Sequence, residues 1–191
     1  MKKYDFANVT ARPFPSIYDV ANPYIFGGIK SVINVSERED MRLLDYYKAN
    51  SITYNHLPIK ECVPDMGWSN ILKCVEIIVD NIRNDIPTIV HCIGGNNRSP
   101  LVVECAFYAL YGYHLIDEYK GAKNHLQYNV EQGYLPLTLQ EIEIKLSSLV
   151  TIQLGNKTIH KSKTQTIKNG NKKVSFAFTA CNCSMRRVHI M

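Results

Sequence analysis

The stretch Ile89-Val90-His91-Cys92-Ile93-Gly94-Gly95-Asn96-Asn97-Arg98-Ser99-Pro100 gathers residue types that can do chemistry on an anion. A β-branched run ends in Cys92, a glycine-containing loop follows, and Ser99-Pro100 opens a helix. Successive backbone N–H groups in such a loop can point inward and cradle an anion at the helix N-terminus. Gly94 and Gly95 let the backbone fold tightly without a Cβ clash. The guanidinium of Arg98 presents a planar fork to two oxygens of a phosphate. The same positive surroundings favour a thiolate at Cys92, and a thiolate is a nucleophile. Together these groups describe nucleophilic displacement at phosphorus. A cysteine alone on a core strand would read as a small hydrophobe. The joint spacing of His91, Cys92, Gly94, Arg98 and Ser99 is what points to a reaction.

Elements on either side must hold that loop. Ser31 to Val35 reads as a strand, and Ser36 with Glu39 as a capping box opening a helix to about Asn50. Ile52 to Leu57 reads as a strand stopped by Pro58. Ile71, Leu72, Val75, Ile78, Val79 and Ile82 give Trp68 to Arg83 one buried helical face. Pro87 introduces Thr88 to His91, whose apolar run suits a central strand. Helices are predicted over Ser99 to Tyr111 and Ile116 to Leu126. A last one opens at a Thr138/Glu141 capping box, with Leu139, Ile142, Leu146 and Leu149 on its apolar face. Tyr24-Ile25-Phe26 reads as a short strand closed by Gly27-Gly28. Alternating strands and helices, followed by helices only, predict an α/β fold: a short central, mostly parallel sheet flanked by helices. The expected organisation is an N-terminal arm over 1–16, one domain over 17–150 and a basic tail over 151–191. Within the tail, Gly155 to Lys173 reads as a flexible linker and Val174 to Phe178 as one strand.

The composition suits this plan. A chain of 191 residues with 46% hydrophobic residues, 12 Tyr and 6 Phe can build one core. It excludes a large multidomain enzyme and wholesale disorder. Residues 1–150 carry 14 basic and 17 acidic side chains, whereas residues 151–191 carry 8 basic and none acidic, so the net charge of +5 originates in the tail. Its lysines, with Phe176 and Phe178, are a candidate surface for an anionic partner, either nucleic acid or a membrane surface. Cys62, Cys74, Cys92, Cys105, Cys181 and Cys183 form no disulfide framework, so free thiols in a reducing compartment are expected. Cys181, Cys183 and His189 supply three metal ligands, one short of a structural zinc site, and free thiols are expected there too. The N-terminus has no signal-peptide run, and no segment has ~18 consecutive apolar residues. A cytoplasmic or nuclear location is the corresponding expectation.

His91-Cys92-x5-Arg98-Ser99 resembles the signature of the cysteine-dependent protein tyrosine phosphatases, and Arg98-Ser99-Pro100 resembles their dual-specificity branch. The resemblance runs from about Tyr24 to Leu149. Tyr24 to Gly27 is similar to the strand opening those domains, Val32 to Val35 to their second core strand, and His56-Leu57-Pro58-Ile59 to the strand before their acid loop. Asn129 to Leu137, with Gly133-Tyr134, resembles their C-terminal motif. The resemblance implies that Cys92 attacks phosphorus and forms a cysteinyl-phosphate, without metal or other cofactor. By the same token Arg98 binds the equatorial oxygens, Ser99 donates a hydrogen bond to the Cys92 sulfur, and His91 orients the loop by side-chain hydrogen bonds. The backbone N–H groups of Ile93, Gly94, Gly95, Asn96, Asn97 and Arg98 would hold the phosphate.

Leaving-group departure needs a proton, so an acid is expected upstream of the loop. Glu61 lies three residues after Pro58, where the family usually carries Asp. Asp65, in Pro64-Asp65-x-Gly67, has the usual residue type and a shorter side chain, and is the favoured candidate. Two departures stand out. Only Ile29 and Lys30 separate Gly28 from the Ser31 strand, where many members have a helix. Asn96-Asn97 replaces small residues before the arginine. The implied activity is hydrolysis of phosphotyrosine and phosphoserine or phosphothreonine in proteins. Two alternatives are a phosphoinositide or RNA 5′-phosphate phosphatase, and a module that binds phosphoproteins with little turnover. Positions 93–97 are uncharged, which weighs against the highly charged lipid and RNA substrates.

Overall fold

In the computed structural model, residues 4–118, 123–154, 162–166 and 175–179 are described. Their contacts divide the chain into two units, Met1–Ile152 and Gln153–Met191. The first unit is built on a five-stranded sheet in the order β1 (Tyr4–Phe6), β2 (Val9–Arg12), β5 (Thr88–His91), β3 (Ser31–Asn34), β4 (Thr53–His56). Strands β2, β5, β3 and β4 run parallel, and β1 is antiparallel to β2. β3 and β5 are buried at every position, because both sheet faces are covered. Successive side chains point to opposite faces, so Ile33 and Val90 join one core cluster while Val32 and Ile89 join the other.

Helices α1 (Ile17–Val20), α2 (Pro23–Phe26) and α3 (Met41–Ala49) bring Val20, Phe26, Leu43 and Tyr47 to the Val32 face. α4 (Trp68–Arg83) and α5 (Arg98–Tyr111) bring Ile71, Val75, Leu101 and Ala106 to the other. α8 (Leu139–Leu154) adds Ile142 and Leu146 to that same cluster. The chain reaches α8 through α6 (Leu115–Glu118) and α7 (His125–Glu131). The Thr138/Glu141 capping box is present: Glu141 N–H donates to Thr138 Oγ1 (3.3 Å) and Thr138 N–H to Glu141 Oε2 (2.8 Å).

Several elements differ from their sequence expectation for local reasons. Residues 4–12, expected as an arm, supply two strands of the sheet, with Val9↔Thr88 and Arg12↔His91 in register. Tyr24-Ile25-Phe26 lies in a helix, since Asn22 accepts from Tyr24 N–H and Pro23 occupies the first helical position. Ser36 opens no helix. It is buried just beyond β3, and its hydroxyl donates to Asn34 Oδ1 at 2.7 Å, so Asp40 caps α3 instead. The segment expected as one helix over 116–126 holds the end of α6 and the start of α7, where Asn124 caps α7. The second unit contains β6 (Ser162–Thr166), inside the expected linker, paired antiparallel with β7 (Ser175–Thr179). Cys181, Cys183 and His189 lie outside the described residues. Among the described residues, no helix is long and apolar enough to cross a membrane.

Candidate active site

β5 is the middle strand of the sheet, and Cys92 follows it directly at the C-terminal edge of the parallel strands. In open α/β sheets that edge, beside a topological switch, is where ligands bind. The loop after Cys92 turns back over its own sulfur. Gly95 N–H donates to Cys92 Sγ at 3.2 Å, and the Ser99 hydroxyl lies 3.4 Å from it. Gly95 N–H is a donor on the sulfur, whereas either Sγ or Ser99 Oγ can supply the proton of the second contact. Cys74 and Cys105 sit in the core without such donors. Burial pushes the Cys74 thiol up to about 12 and holds Cys105 well above its ordinary value. Both are therefore inert thiols at neutral pH.

The exit of β2 forms a wall of the loop. Phe14 N–H donates to Ile93 O (3.0 Å), Cys92 N–H to Arg12 O (3.4 Å) and Ser99 Oγ to the same Arg12 carbonyl (3.2 Å). Gly95 sits against this wall at φ +69°, where a Cβ would stand 2.6 Å from Pro13 N. Both the backbone conformation and the space thus require glycine. His91 is buried, edge-on to the Phe14 ring with centroids 5.0 Å apart. Burial, the main cause, lowers its pKa to about 4, so its ring is neutral at pH 7.

Arg98, the first residue of α5, is 3% exposed although charged. Two carboxylates and a carbonyl satisfy it. Nη1 donates to Glu37 Oε2 (2.8 Å) and Ile59 O (3.2 Å), and Nη2 lies 2.8 Å from Glu61 Oε2. Its Nε is buried and has no acceptor among the described residues. Glu37 and Glu61 are both about half exposed (57% and 48% for the side chains), so solvent screens these pairs and an anion can displace them. These partners fix the orientation of the guanidinium at the start of α5.

The Lys60–Met66 segment is pinned at its far end. Met66 is buried, its N–H donates to Tyr134 O (3.1 Å), and its carbonyl accepts from Lys60 N–H (2.9 Å). That closure leaves Glu61 on Arg98. Asp65 is exposed at φ +52° and makes no hydrogen bond or ion pair with the described residues. Asn96 is exposed. Asn97 pairs with Asn129 of α7. Sequence reasoning placed Cys92, Arg98, Ser99 and His91 around one loop, but missed the roles of Arg12 to Phe14, Glu37, the Ile59 carbonyl and Asn129. Only the Asn129 region carried a signal, in the Asn129-to-Leu137 motif. Among the described residues, no cluster of His, Cys, Asp or Glu is arranged to hold a metal ion.

A sequence model of the family described as cyclin-dependent kinase inhibitor 3 matches residues 22–117, half of the chain. Cyclin-dependent kinase inhibitor 3 from Rattus norvegicus and from Sus scrofa are each 39% identical to it over 66 residues. That stretch covers 33% of this chain and 29% of each relative, so the match spans less than a third of their length. The crystal structure of DUSP15 superposes with a TM-score of 0.52 at 18% identity, covering 76% of this chain and 95% of that one. The core catalytic domain of the PP-IP phosphatase SIW14 from S. cerevisiae, in complex with citrate, gives 0.52 at 18% identity, covering 74% and 87%. At such identities the likeness is one of fold.

Proposed function

The chain belongs to the cyclin-dependent kinase inhibitor 3 family, within the cysteine-dependent protein tyrosine phosphatase superfamily, and from that membership we propose that it hydrolyses phosphotyrosine and phosphoserine or phosphothreonine in proteins. The observation that carries this reading is the joint placement of the Cys92 sulfur, with Gly95 N–H and Ser99 Oγ on it, and the buried Arg98 guanidinium in one loop.

In the first step Cys92 Sγ attacks phosphorus, an S–P bond forms, and the bond to the leaving oxygen breaks. Arg98 and the loop N–H groups bind the equatorial oxygens and stabilise the charge that develops on them. The leaving oxygen takes a proton from Glu61, whose carboxylate picks that proton up from solvent once the phosphate has displaced it from Arg98. We favour Glu61 over Asp65 because its carboxylate lies on the phosphate-binding arginine while Asp65 faces solvent. A phosphate arriving at Arg98 takes over the Nη2 donor and leaves the Glu61 carboxyl at its edge. In the second step water attacks the cysteinyl-phosphate, Glu61 accepts its proton, and the Cys92 sulfur departs with Ser99 Oγ hydrogen-bonded to it. His91 packs on Phe14 and, as a neutral ring, transfers no proton; neither ring nitrogen has a hydrogen-bond partner among the described residues, so the expected side-chain hydrogen bonds to the loop are not seen. The uncharged positions 93–97 support a protein substrate over a phosphoinositide or an RNA end. The relatives' name joins them to cyclin-dependent kinases, so a phosphorylated kinase of that class belongs in a substrate panel.

The test is hydrolysis of an aryl phosphate by wild type, Cys92→Ser and Arg98→Lys. Turnover in the wild type and a loss on the order of a thousandfold in both variants is expected. Equal rates in all three proteins would overturn the reading.

A further inference from the structure

The loop between β3 and α3 carries four charged residues in a row, Glu37-Arg38-Glu39-Asp40. Each of its three carboxylates has a partner. Glu37 is on Arg98 Nη1 (2.8 Å). Glu39 Oε1 accepts from the Tyr54 hydroxyl (3.2 Å) and lies 3.3 Å from His56 Nδ1. Asp40 caps α3 and accepts from Arg42 Nε (3.2 Å) and Nη2 (2.8 Å). That pairing with Arg42 is the main reason the Asp40 carboxyl is held below its ordinary value, and Arg38 contributes least. Arg38 itself makes no ion pair and no side-chain hydrogen bond with another described residue. Its guanidinium lies over the Phe14 ring, 4.8 Å from the centroid. The ring engages the charge and leaves the N–H donors open to an acceptor.

Two connections place Arg38 beside the phosphate loop. Glu37, one residue earlier, reaches Arg98. Phe14, under the guanidinium, donates its N–H to the carbonyl of Ile93, the residue after Cys92 (3.0 Å). The backbone of Arg38 is also fixed, since Asn34 Nδ2 at the end of β3 donates to its carbonyl (2.7 Å). Arg38 and Ile93 are both exposed, so this side of the loop faces solvent. Positions 93–97 carry no charge, and a second negative group on a substrate must therefore be read by a side chain from another loop. Lys60, next to Glu61, is a second exposed cation without an ion pair among the described residues, but no aromatic face seats it.

We propose that Arg38 is a specificity-determining residue whose guanidinium, seated on Phe14, binds a second anionic group that the substrate carries beside its phosphoresidue, a carboxylate or another phosphate. The inference rests on the phosphatase reading above and deepens it, naming an acidic flank as the feature selected. The planar fork suits either group in a bidentate pair. A guanidinium already ordered on a ring loses less freedom on binding than a free one. Solvent reaches the pair, so the gain is modest and falls as salt rises.

The experiment compares kcat/KM for phosphotyrosine peptides that differ at one flanking position, on either side of the phosphoresidue. The residue there is Gln, Glu, Lys or a non-hydrolysable phosphonate analogue of phosphoserine. The wild type is expected to favour an anionic flank over Gln about fivefold on one side, and to lose that preference as salt rises from about 0.05 M to about 0.5 M. Arg38→Gln is expected to bring the ratio to about one, and Arg38→Glu to turn it over in favour of Lys. A preference for Glu, for the phosphonate or for both supports the subsite and identifies its source. No preference in the wild type, an undiminished one in Arg38→Gln, or an equal loss in Lys60→Gln would overturn the proposal. If the wild type turns over no peptide, the phosphatase reading fails. Binding of the same peptides to the Cys92→Ser protein, with and without Arg38→Gln, then decides the role of Arg38 separately, with the same dependence on the flank expected.

Discussion

Arg98 is a buried cation whose ligand-free partners are two carboxylates that solvent can reach. Breaking both pairs at once would leave an uncompensated charge, so the resting site keeps it paired until an anion can take over. Glu37 reaches it from 61 positions away in sequence. That distance is why Glu37 could not be read beforehand, while Cys92, Arg98 and Ser99 could: their relation is local to one turn of chain. Glu61 and Asp65 were both visible as carboxylates near Pro58. Residue type favoured Asp65, and the pinning of Met66 on Tyr134 favours Glu61. Glu61→Gln is therefore expected to cut kcat on alkyl phosphates and phosphopeptides about 100-fold or more, with a much smaller loss on p-nitrophenyl phosphate, whose leaving group needs little help. Asp65→Asn is expected to stay within about twofold of wild type on both. Steady-state kinetics on the two substrates checks this, and a reversed pattern would return the acid role to Asp65.

Long periodic elements were legible because burial repeats along them. The apolar face of α4 and the β-branched runs of β3 and β5 are of this kind. The four-residue helices α1 and α2 were not, since a single turn has no period and is fixed by its caps, Ser16 and Asn22. β1 and β2 escaped notice for the same reason, though β2 builds one wall of the site. A further joint was also hidden. His114, before α6, places Nε2 3.0 Å from Glu143 of α8 and Nδ1 3.8 Å from Glu104 of α5, with the Tyr108 ring 4.9 Å away. The Glu104 carboxylate chiefly, then Glu143, raises its pKa against the opposing effect of burial. A raised folded pKa means that the stabilisation is complete below the unfolded value of about 6.5 and is lost as pH rises through the folded value. His114→Gln should therefore lower the melting temperature more at about pH 6 than at about pH 9. Thermal melts at the two pH values test this, and an equal shift at both would refute it.

For the whole molecule, charge is divided along the chain. Residues 1–150 are net acidic, and two of those carboxylates, Glu37 and Glu61, sit on Arg98 at the N-terminal end of α5. The division of contacts at Ile152 falls close to the change in charge near residue 150. The fold class was accessible from the order of elements, because alternating strands and helices followed by helices only have few compact solutions. The placing of β2 beside β5, with Val9↔Thr88 in register, depends on long-range pairing that no local pattern encodes, and β1 follows β2 through a tight hairpin with Phe6↔Val9 in register. The central claim is that phosphoryl transfer passes through Cys92. Its most direct measurement is rapid acid quenching of the wild-type chain during turnover of an aryl phosphate, followed by mass-spectrometric mapping of the phosphate. Phosphate on the peptide that carries Cys92, and none in Cys92→Ser, is the predicted result; turnover without any phosphorylated Cys92, or undiminished in Cys92→Ser, would contradict it.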